Sequence, residues 1–256
     1  MRRVESVAEY RNIRSEFGDQ KLGFVPTMGA LHIGHASLIQ RSVTECDITV
    51  LSIYLNPTQF NNASDLDKYP ATLENDLLMA EELGVEVVLL PDYHQIYPDN
   101  FRYQVEETSF SRQLCGAHRE GHFTGVLTVV MKLFNIVRPQ CAYFGKKDYQ
   151  QYQLIRDMVE AFFMDVNIIG CDTIREEDGL AFSSRNLNLD DHSRALAHEL
   201  HKAIERDISD EQVVSQLDAL GFDVDYIKTI DGRRYAAASL GKVRLIDNIS
   251  VDEVTS

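Results

Sequence analysis

Residues 48–55, Ile-Thr-Val-Leu-Ser-Ile-Tyr-Leu, are apolar almost without interruption, and this run limits the folds open to the chain more than any other feature. A strand with one wet face alternates apolar and polar side chains. A strand that is apolar throughout has to be covered on both faces, as in a parallel sheet between helices. Segments 21–25 (stopping at Pro26), 85–90, 141–145 and 166–174 read the same way. Helical spacing separates them. Val4, Val7, Tyr10, Ile13 and Phe17 precede Gly18; Gly34 and His35 open a helix carrying Leu38 and Ile39; Leu73, Leu77, Ala80 and Leu83 precede Gly84. Further on, Val126, Val129, Val130, Leu133, Phe134 and Val137 form a face that ends before Pro139, and Leu154, Ile155, Met158 and Phe162 form another. This order predicts an α/β fold, a parallel sheet with helices on both faces, and its ligand beyond the carboxyl ends of the strands.

After Asn186 the pattern changes. Asp190 or Asp191 caps a helix bearing Leu196, Leu200, Ala203 and Ile204; Val213, Leu217 and Leu220 mark a second; short strands are expected at 223–229 and 242–246. A smaller α+β carboxy-terminal domain follows from this, with the boundary between 173 and 187. We divide the chain into residues 1–174 and 175–256.

The net charge of −15 repels polyphosphate backbones, so a general nucleic-acid binder is excluded, and any anion handled here requires a local cluster of cations. Four scattered cysteines without a Cys-x-x-Cys pair point to reduced thiols in a cytoplasm. The first residues lack the apolar stretch of a signal peptide, and the run 85–90 is too short to span a bilayer.

Five segments carry candidate chemistry. The first, Phe24-Val-Pro-Thr-Met-Gly-Ala-Leu-His-Ile-Gly-His35, runs from a strand end into a helix start, where unpaired N–H groups suit phosphate. Gly29 and Gly34 permit close approach of backbone to ligand, and His32 and His35 lie on one side of the first turn, where both can donate to phosphate oxygens. A histidine pair three apart is also a metal half-site or merely two surface groups. The second segment places Lys146 and Lys147 in a loop after a strand, as point charges for phosphate or as solvated lysines. The third, Ser183-Ser-Arg-Asn186, is a mobile anion grip or a polar linker. In the fourth, Asn56 and Gln59 are placed to hydrogen-bond a neutral or carboxylate ligand. The fifth holds Arg119 and His122 just before a helix. Cys115, His118 and His122 have spacings that zinc uses, but no fourth ligand accompanies them, and Gly121 and Gly125 suit a flexible loop.

Together these segments resemble the pantothenate synthetases (pantoate–β-alanine ligases), a family of the His-x-Gly-His nucleotidyltransferases. The likeness covers most of the chain. It includes Pro26-Thr-Met-Gly-Ala-Leu-His-x-Gly-His35, Asn56-Pro-Thr-Gln-Phe60, Asp65-Leu-Asp-Lys-Tyr-Pro70 and Gly121-His-Phe-x-Gly-Val126. It continues through Lys132-Leu-Phe-Asn-Ile-Val137, Asp148-Tyr-Gln-Gln151, Asp178-Gly-Leu-Ala181, Ser183-Ser-Arg-Asn186 and Leu245-Ile-Asp-Asn-Ile249.

The resemblance implies a Rossmann-like amino-terminal domain that binds ATP and pantoate, a small carboxy-terminal lid, Mg²⁺ and a homodimer. It implies that ATP adenylates pantoate and that β-alanine then displaces AMP to give pantothenate. Carried onto this chain, Met28, Gly29, Ala30, Leu31, His32, Ile33, Gly34 and His35 line ATP. Gly145, Lys146, Lys147, Asp148, Ile174, Phe182, Ser183, Ser184 and Arg185 complete the nucleotide site, and Gln59 and Gln151 bind pantoate. His32, His35, Lys147 and Arg185, with Mg²⁺, are expected to neutralise the two anions that meet in the first step. The chain departs from the family at Lys146, where glutamate is usual, at Glu120, where proline is common, and at Ala71, where a basic residue is common; its carboxy-terminal region is also short.

Overall fold

The computed structural model describes residues 1–61, 66–67 and 69–251; Asp65 and Lys68 of the family motif lie outside the described residues. The chain divides into two compact units, Met1–Lys146 with Gln150–Cys171, and Lys147–Tyr149 with Asp172–Ser256.

The first unit is built on a six-stranded, all-parallel sheet of β1 (Arg2–Val4), β2 (Leu22–Thr27), β3 (Ile48–Ile53), β4 (Val87–Leu89), β5 (Cys141–Gly145) and β6 (Asn167–Cys171), in the order β1-β4-β3-β2-β5-β6. Its principal helices are α1 (Val7–Glu16), α2 (Ile33–Glu45), α3 (Leu73–Glu82), α4 (His122–Val137) and α5 (Tyr149–Ala161). Alternation along each strand sends successive side chains to opposite faces. Val25, Leu51, Val88 and Tyr143 meet Leu38 and Ile39 of α2 and Ala80 of α3 on one face. Phe24 and Phe144 each meet Phe134 of α4 edge-on, with ring centroids 6.3 Å apart. From β2 the chain moves outward to β3 and β4, then returns to the other side of β2 as β5 and β6. The reversal therefore falls between β2 and β5, where an open parallel sheet splays its loops and takes a ligand.

Two sequence expectations are corrected here. Val4 does not belong to the first helix; it ends edge strand β1, in register with Leu89 of β4. Nor does Pro26 stop β2, which runs through it to Thr27. Thr27 O accepts from Tyr54 N on the β3 side, so alternation turns Pro26 toward β5. Pairing with β5 is confined to Gly23 and Phe24, and the missing N–H of the proline breaks no ladder bond.

The second unit is a three-stranded antiparallel sheet, β7 (Asp223–Ile230), β8 (Arg233–Leu240) and β9 (Val243–Ser250), packed with α6 (Asp191–Ala197), α7 (Glu199–Ile204) and α8 (Asp210–Ala219). Asp190 caps α6 by accepting from Ser193 N, and Ser209 and Gln212 form a capping box at α8. The expected single helix over 196–204 is interrupted at His198, which ends α6 and begins α7. The central strand β8 is missed by the sequence reading because Arg-Arg-Tyr-Ala-Ala-Ala-Ser-Leu has low strand propensity. Burial overrides propensity: Ala236, Ala237 and Ala238 are at most 1% exposed, and small side chains let Leu200, Ile204, Val213 and Leu217 close over the sheet.

Among the described residues no helix is long and apolar enough to cross a membrane. Since Ala238 sits in a filled core, Ala238→Leu is expected to cost about 1–3 kcal/mol by overpacking. Chemical denaturation reads this as a lower midpoint.

Candidate active site

The turn from β2 into α2 lies at the reversal point of the sheet, and its backbone is unusual. Gly29 and Ala30 both have positive φ, 82° and 51°. For Ala30 this conformation costs about 1–2 kcal/mol. A buried carboxylate compensates: Asp76 of α3 accepts from Ala30 N at 2.9 Å and from Leu31 N at 2.8 Å, while Thr72 Oγ1 donates to it at 3.1 Å. A Cβ on Gly29 would stand 3.1 Å from Asp76 Oδ2 and from Ile53, so glycine is required on grounds of both space and conformation. Asp76 is absent from the residues expected to build the site. Its signal was there to read, an acid on the apolar helical face between Leu73 and Ala80.

This turn delivers His32 as the N-cap of α2. His32 Nδ1 accepts from Gly34 N at 3.1 Å, and His35 Nδ1 accepts from His32 N at 3.3 Å, a capping box made of two histidines. An acceptor nitrogen carries no proton, so each ring holds its proton on Nε2. The rings lie 4.1 Å apart between centroids, tilted by 44°. The result is a helix N-terminus with two imidazole N–H donors in fixed rotamers. Met28 lies in the same turn, and Ile33 and Gly34 begin α2. Gly145 ends β5 across the reversal point and Lys146 begins the single turn that follows, with the Lys146 stem against Gly170 of β6, 3.0 Å from a Cβ built there.

A second polar group forms after β3. Asn56, 1% exposed, accepts on Oδ1 from Tyr97 OH at 2.9 Å and from Thr58 Oγ1 at 3.0 Å, and donates through Nδ2 to Gln59 Oε1 at 2.9 Å and Gly125 O at 3.3 Å. Burial pushes the Tyr97 phenol up to about 12 against the pull of its bonds to Thr58 and Asn56, so it stays a donor near neutral pH. With the amide of Asn56 oriented this way, Gln59 is left with Nε2 as its outward donor, which makes no hydrogen bond among the described residues.

Gly125 is not part of a flexible loop. It lies in α4, where a Cβ would come within 2.4 Å of Thr58 O and 2.8 Å of Gln59 Cα, so the glycine seats residues 57–59 against the helix. His122 Nδ1 donates to Gln59 O at 2.8 Å and its Nε2 accepts from Arg119 at 3.2 Å. The two ring nitrogens are thus engaged by Gln59 O and by Arg119, and among the described residues Cys115, His118 and His122 form no metal cluster.

The adjacent glutamines of α5 divide their work. Gln150 is buried and structural, donating to Phe110 O and Gln113 O and accepting from Cys115 N. Gln151 is half-buried and its side chain makes no hydrogen bond among the described residues.

The remaining candidates lie in the second unit. Lys147 Nζ is 3.7 Å from Asp148 Oδ2. Ile174 O accepts from Phe182 N, closing a loop in which Arg175 bridges Ala181. Ser183 caps the single turn Ser184–Asn188 by accepting from Arg185 N at 3.3 Å. The segment is a built element rather than a plain linker, since Asn186 Nδ2 donates to Glu176 at 3.0 Å and to Ala181 O, and Arg194 bonds Glu176 and Asp178 at 2.6 Å each. This carboxylate–arginine frame was not anticipated from the sequence.

A parallel sheet with a donor-rich helix N-terminus at its reversal point defines an α/β enzyme of the nucleotide-handling class. The model of the pantoate-beta-alanine ligase family matches residues 2–250, and the chain belongs to that family. It is 54% identical over 230 residues to a pantothenate synthetase of Bdellovibrio bacteriovorus, covering 90% of this chain and 92% of that one, and 50% identical to one of Legionella pneumophila, covering 90% and 91%. Among solved structures it is similar to the Francisella tularensis pantoate-beta-alanine ligase complexed with beta-gamma ATP and beta-alanine (TM-score 0.93, 39% identity, 98% of each chain). The Thermus thermophilus pantothenate synthetase aligns with a TM-score of 0.90 at 38% identity, over 98% of this chain and 99% of that one.

The histidine cap separates into two functions that substitution can test. Asparagine at residue 32 keeps a cap acceptor but lacks a donor at the Nε2 position; glutamine reaches that position but caps poorly. His32→Asn is expected to hold its unfolding midpoint and lose about a hundredfold in kcat. His32→Gln is expected to lose about 1 kcal/mol of stability and keep more activity. Midpoint and kcat falling together in both variants would contradict the division.

Proposed function

We propose that this chain joins pantoate to β-alanine with ATP, through a pantoyl adenylate. A pantoate carboxylate oxygen attacks the α-phosphorus in line, the bond to the bridging oxygen breaks, and pyrophosphate leaves. The unprotonated amine of β-alanine then adds to the acyl carbon, the acyl–phosphate oxygen bond breaks, AMP leaves and the amine gives up a proton. Pantothenate, AMP and pyrophosphate result. Family membership supports the overall reaction, as does the Francisella relative's complex with beta-gamma ATP and beta-alanine.

One observation carries the reading: the start of α2 is capped so that both His32 and His35 hold Nε2–H donors. In-line transfer between two anions needs donors fixed in advance, because positioning and charge stabilisation are most of the catalysis. His32 and His35 act as hydrogen-bond donors to the phosphates. Residues 28–35 and 145–148 line ATP, with Ile174, Phe182, Ser183, Ser184 and Arg185 as further nucleotide residues. The Gln59 Nε2 donor and the Gln151 amide suit the hydroxyls and carboxylate of pantoate, and a site built for hydroxyls rejects acids that lack them. Residues 175–256 serve as the lid that protects a hydrolysis-prone adenylate from water.

Mg²⁺ would be held by the nucleotide substrate and would supply positive charge beside its phosphates. Among the described residues no three His, Cys, Asp or Glu side chains form a metal cluster, and both oxygens of Asp76 are occupied by Ala30, Leu31 and Thr72. An ion that keeps its waters and binds phosphate oxygens needs no protein cage. We place the enzyme in the cytoplasm as a homodimer. Four free cysteines suit a reducing compartment, the family resemblance supports the dimer, and sedimentation tests it.

The test is AMP formation by purified protein with MgATP, which is expected to require both pantoate and β-alanine and to give one pantothenate per AMP. Lys147→Ala should lose about a hundredfold in rate with an unchanged unfolding midpoint. AMP formed without pantothenate would overturn the assignment of the reaction, and full activity in Lys147→Ala the role given to that lysine.

A further inference from the structure

The chain leaves the first unit for only three residues, Lys147–Tyr149, and returns to it at Gln150. Three contacts tie these residues to others of the second unit. Asn248 Nδ2 donates to Lys147 O at 2.9 Å. The guanidinium of Arg233 lies over the Tyr149 ring, 3.8 Å from its centroid, and Tyr235 meets the same ring edge-on at 6.1 Å. These partners are themselves joined, for Arg233 Nη1 donates to Asn248 Oδ1 at 2.7 Å. That bond decides which end of the Asn248 amide faces Lys147: the oxygen is held by a cation, so the NH₂ group meets the lysine carbonyl.

Asn248 is 6% exposed and stands opposite Tyr235 in the β8–β9 ladder. Its own N–H bonds Asp247 Oδ1 at 2.8 Å, and Arg175 grips the Asp247 carboxylate with two bonds of 2.6 and 2.9 Å. His201 Nδ1 lies 3.1 Å from the same carboxylate. The β9 dipeptide is thus fixed from one side by Arg175 and delivers a donor to the backbone of Lys147 on the other. Of these groups Asn248 bonds the backbone from which the Lys147 side chain starts, and the others hold Asn248 and Tyr149.

We propose that Asn248, oriented by Arg233, is a positioning residue that sets the backbone of Lys147 and through it the place of the lysine ammonium during adenylate formation. The inference rests on the phosphate role assigned to Lys147 above. Misplacing a catalytic group by about 1 Å costs on the order of a hundredfold in rate, so one backbone bond has a measurable effect.

Asn248→Asp is the informative variant. It is nearly isosteric and keeps an acceptor for Arg233, but it replaces the donor to Lys147 O with a carboxylate oxygen; Asn248→Ala removes both. In steady-state AMP formation by the full chain, Asn248→Asp is expected to lower kcat by roughly tenfold to a hundredfold, with the KM for pantoate unchanged. A merely structural role would lower the unfolding midpoint and move both constants. The double variant Lys147→Ala with Asn248→Asp should be no slower than Lys147→Ala alone, because a residue that acts through the lysine has nothing left to position. Normal kcat in both Asn248 variants, or a further tenfold loss in the double variant, would overturn the proposal. Normal kcat in Lys147→Ala would be a different failure, that of the role given to the lysine.

Discussion

The carboxylate of Asp76 holds the backbone at the one place where this sheet reverses its order. Ala30 and Leu31 have no secondary-structure partner for their N–H groups, and Ala30 adopts a left-handed conformation that a side chain disfavours. Leaving a buried donor such as Ala30 N unpaired costs about 1–3 kcal/mol, so the acid that α3 presents stabilises the turn. The position of His32 follows from the turn, the direction of α2 follows from His32, and the contact of Leu38 and Ile39 with the sheet fixes the helix from its other end.

The same economy of polar groups runs through the rest of the site. Capping engages Nδ1 of both histidines and thereby places the ring proton on Nε2. Asn56 exhausts its amide on Tyr97, Thr58, Gln59 and Gly125, and thereby turns Gln59 outward as a donor. His122 spends its ring on Gln59 O and Arg119. In each case the hydrogen bonds of one group fix the orientation of its neighbour. This is the preorganisation that reactions between anions require, achieved in a protein whose net charge is −15.

Much of this was legible in the chain. Unbroken apolar strands and three-four helical spacing give the parallel sheet directly, and the Gly-x-x-His-x-Gly-His run at a strand end marks the helix N-terminus. What escaped has physical causes. Strand β8 is written in alanines, whose propensity is helical and whose role is to be small under a helix layer. Val4 fits a helical period and a strand end equally well. Gly125 looks like loop punctuation unless one knows that residues 57–59 lie against it. Asp76 and the frame of Glu176, Asp178 and Arg194 act through contacts between residues far apart in sequence, which no local pattern encodes.

The central claim is that the acid is activated on ATP before the amine takes part. The direct measurement is exchange of labelled pyrophosphate into ATP with pantoate present and β-alanine left out. The account predicts exchange that depends on pantoate and needs no amine. Exchange that appears only when β-alanine is added would contradict it.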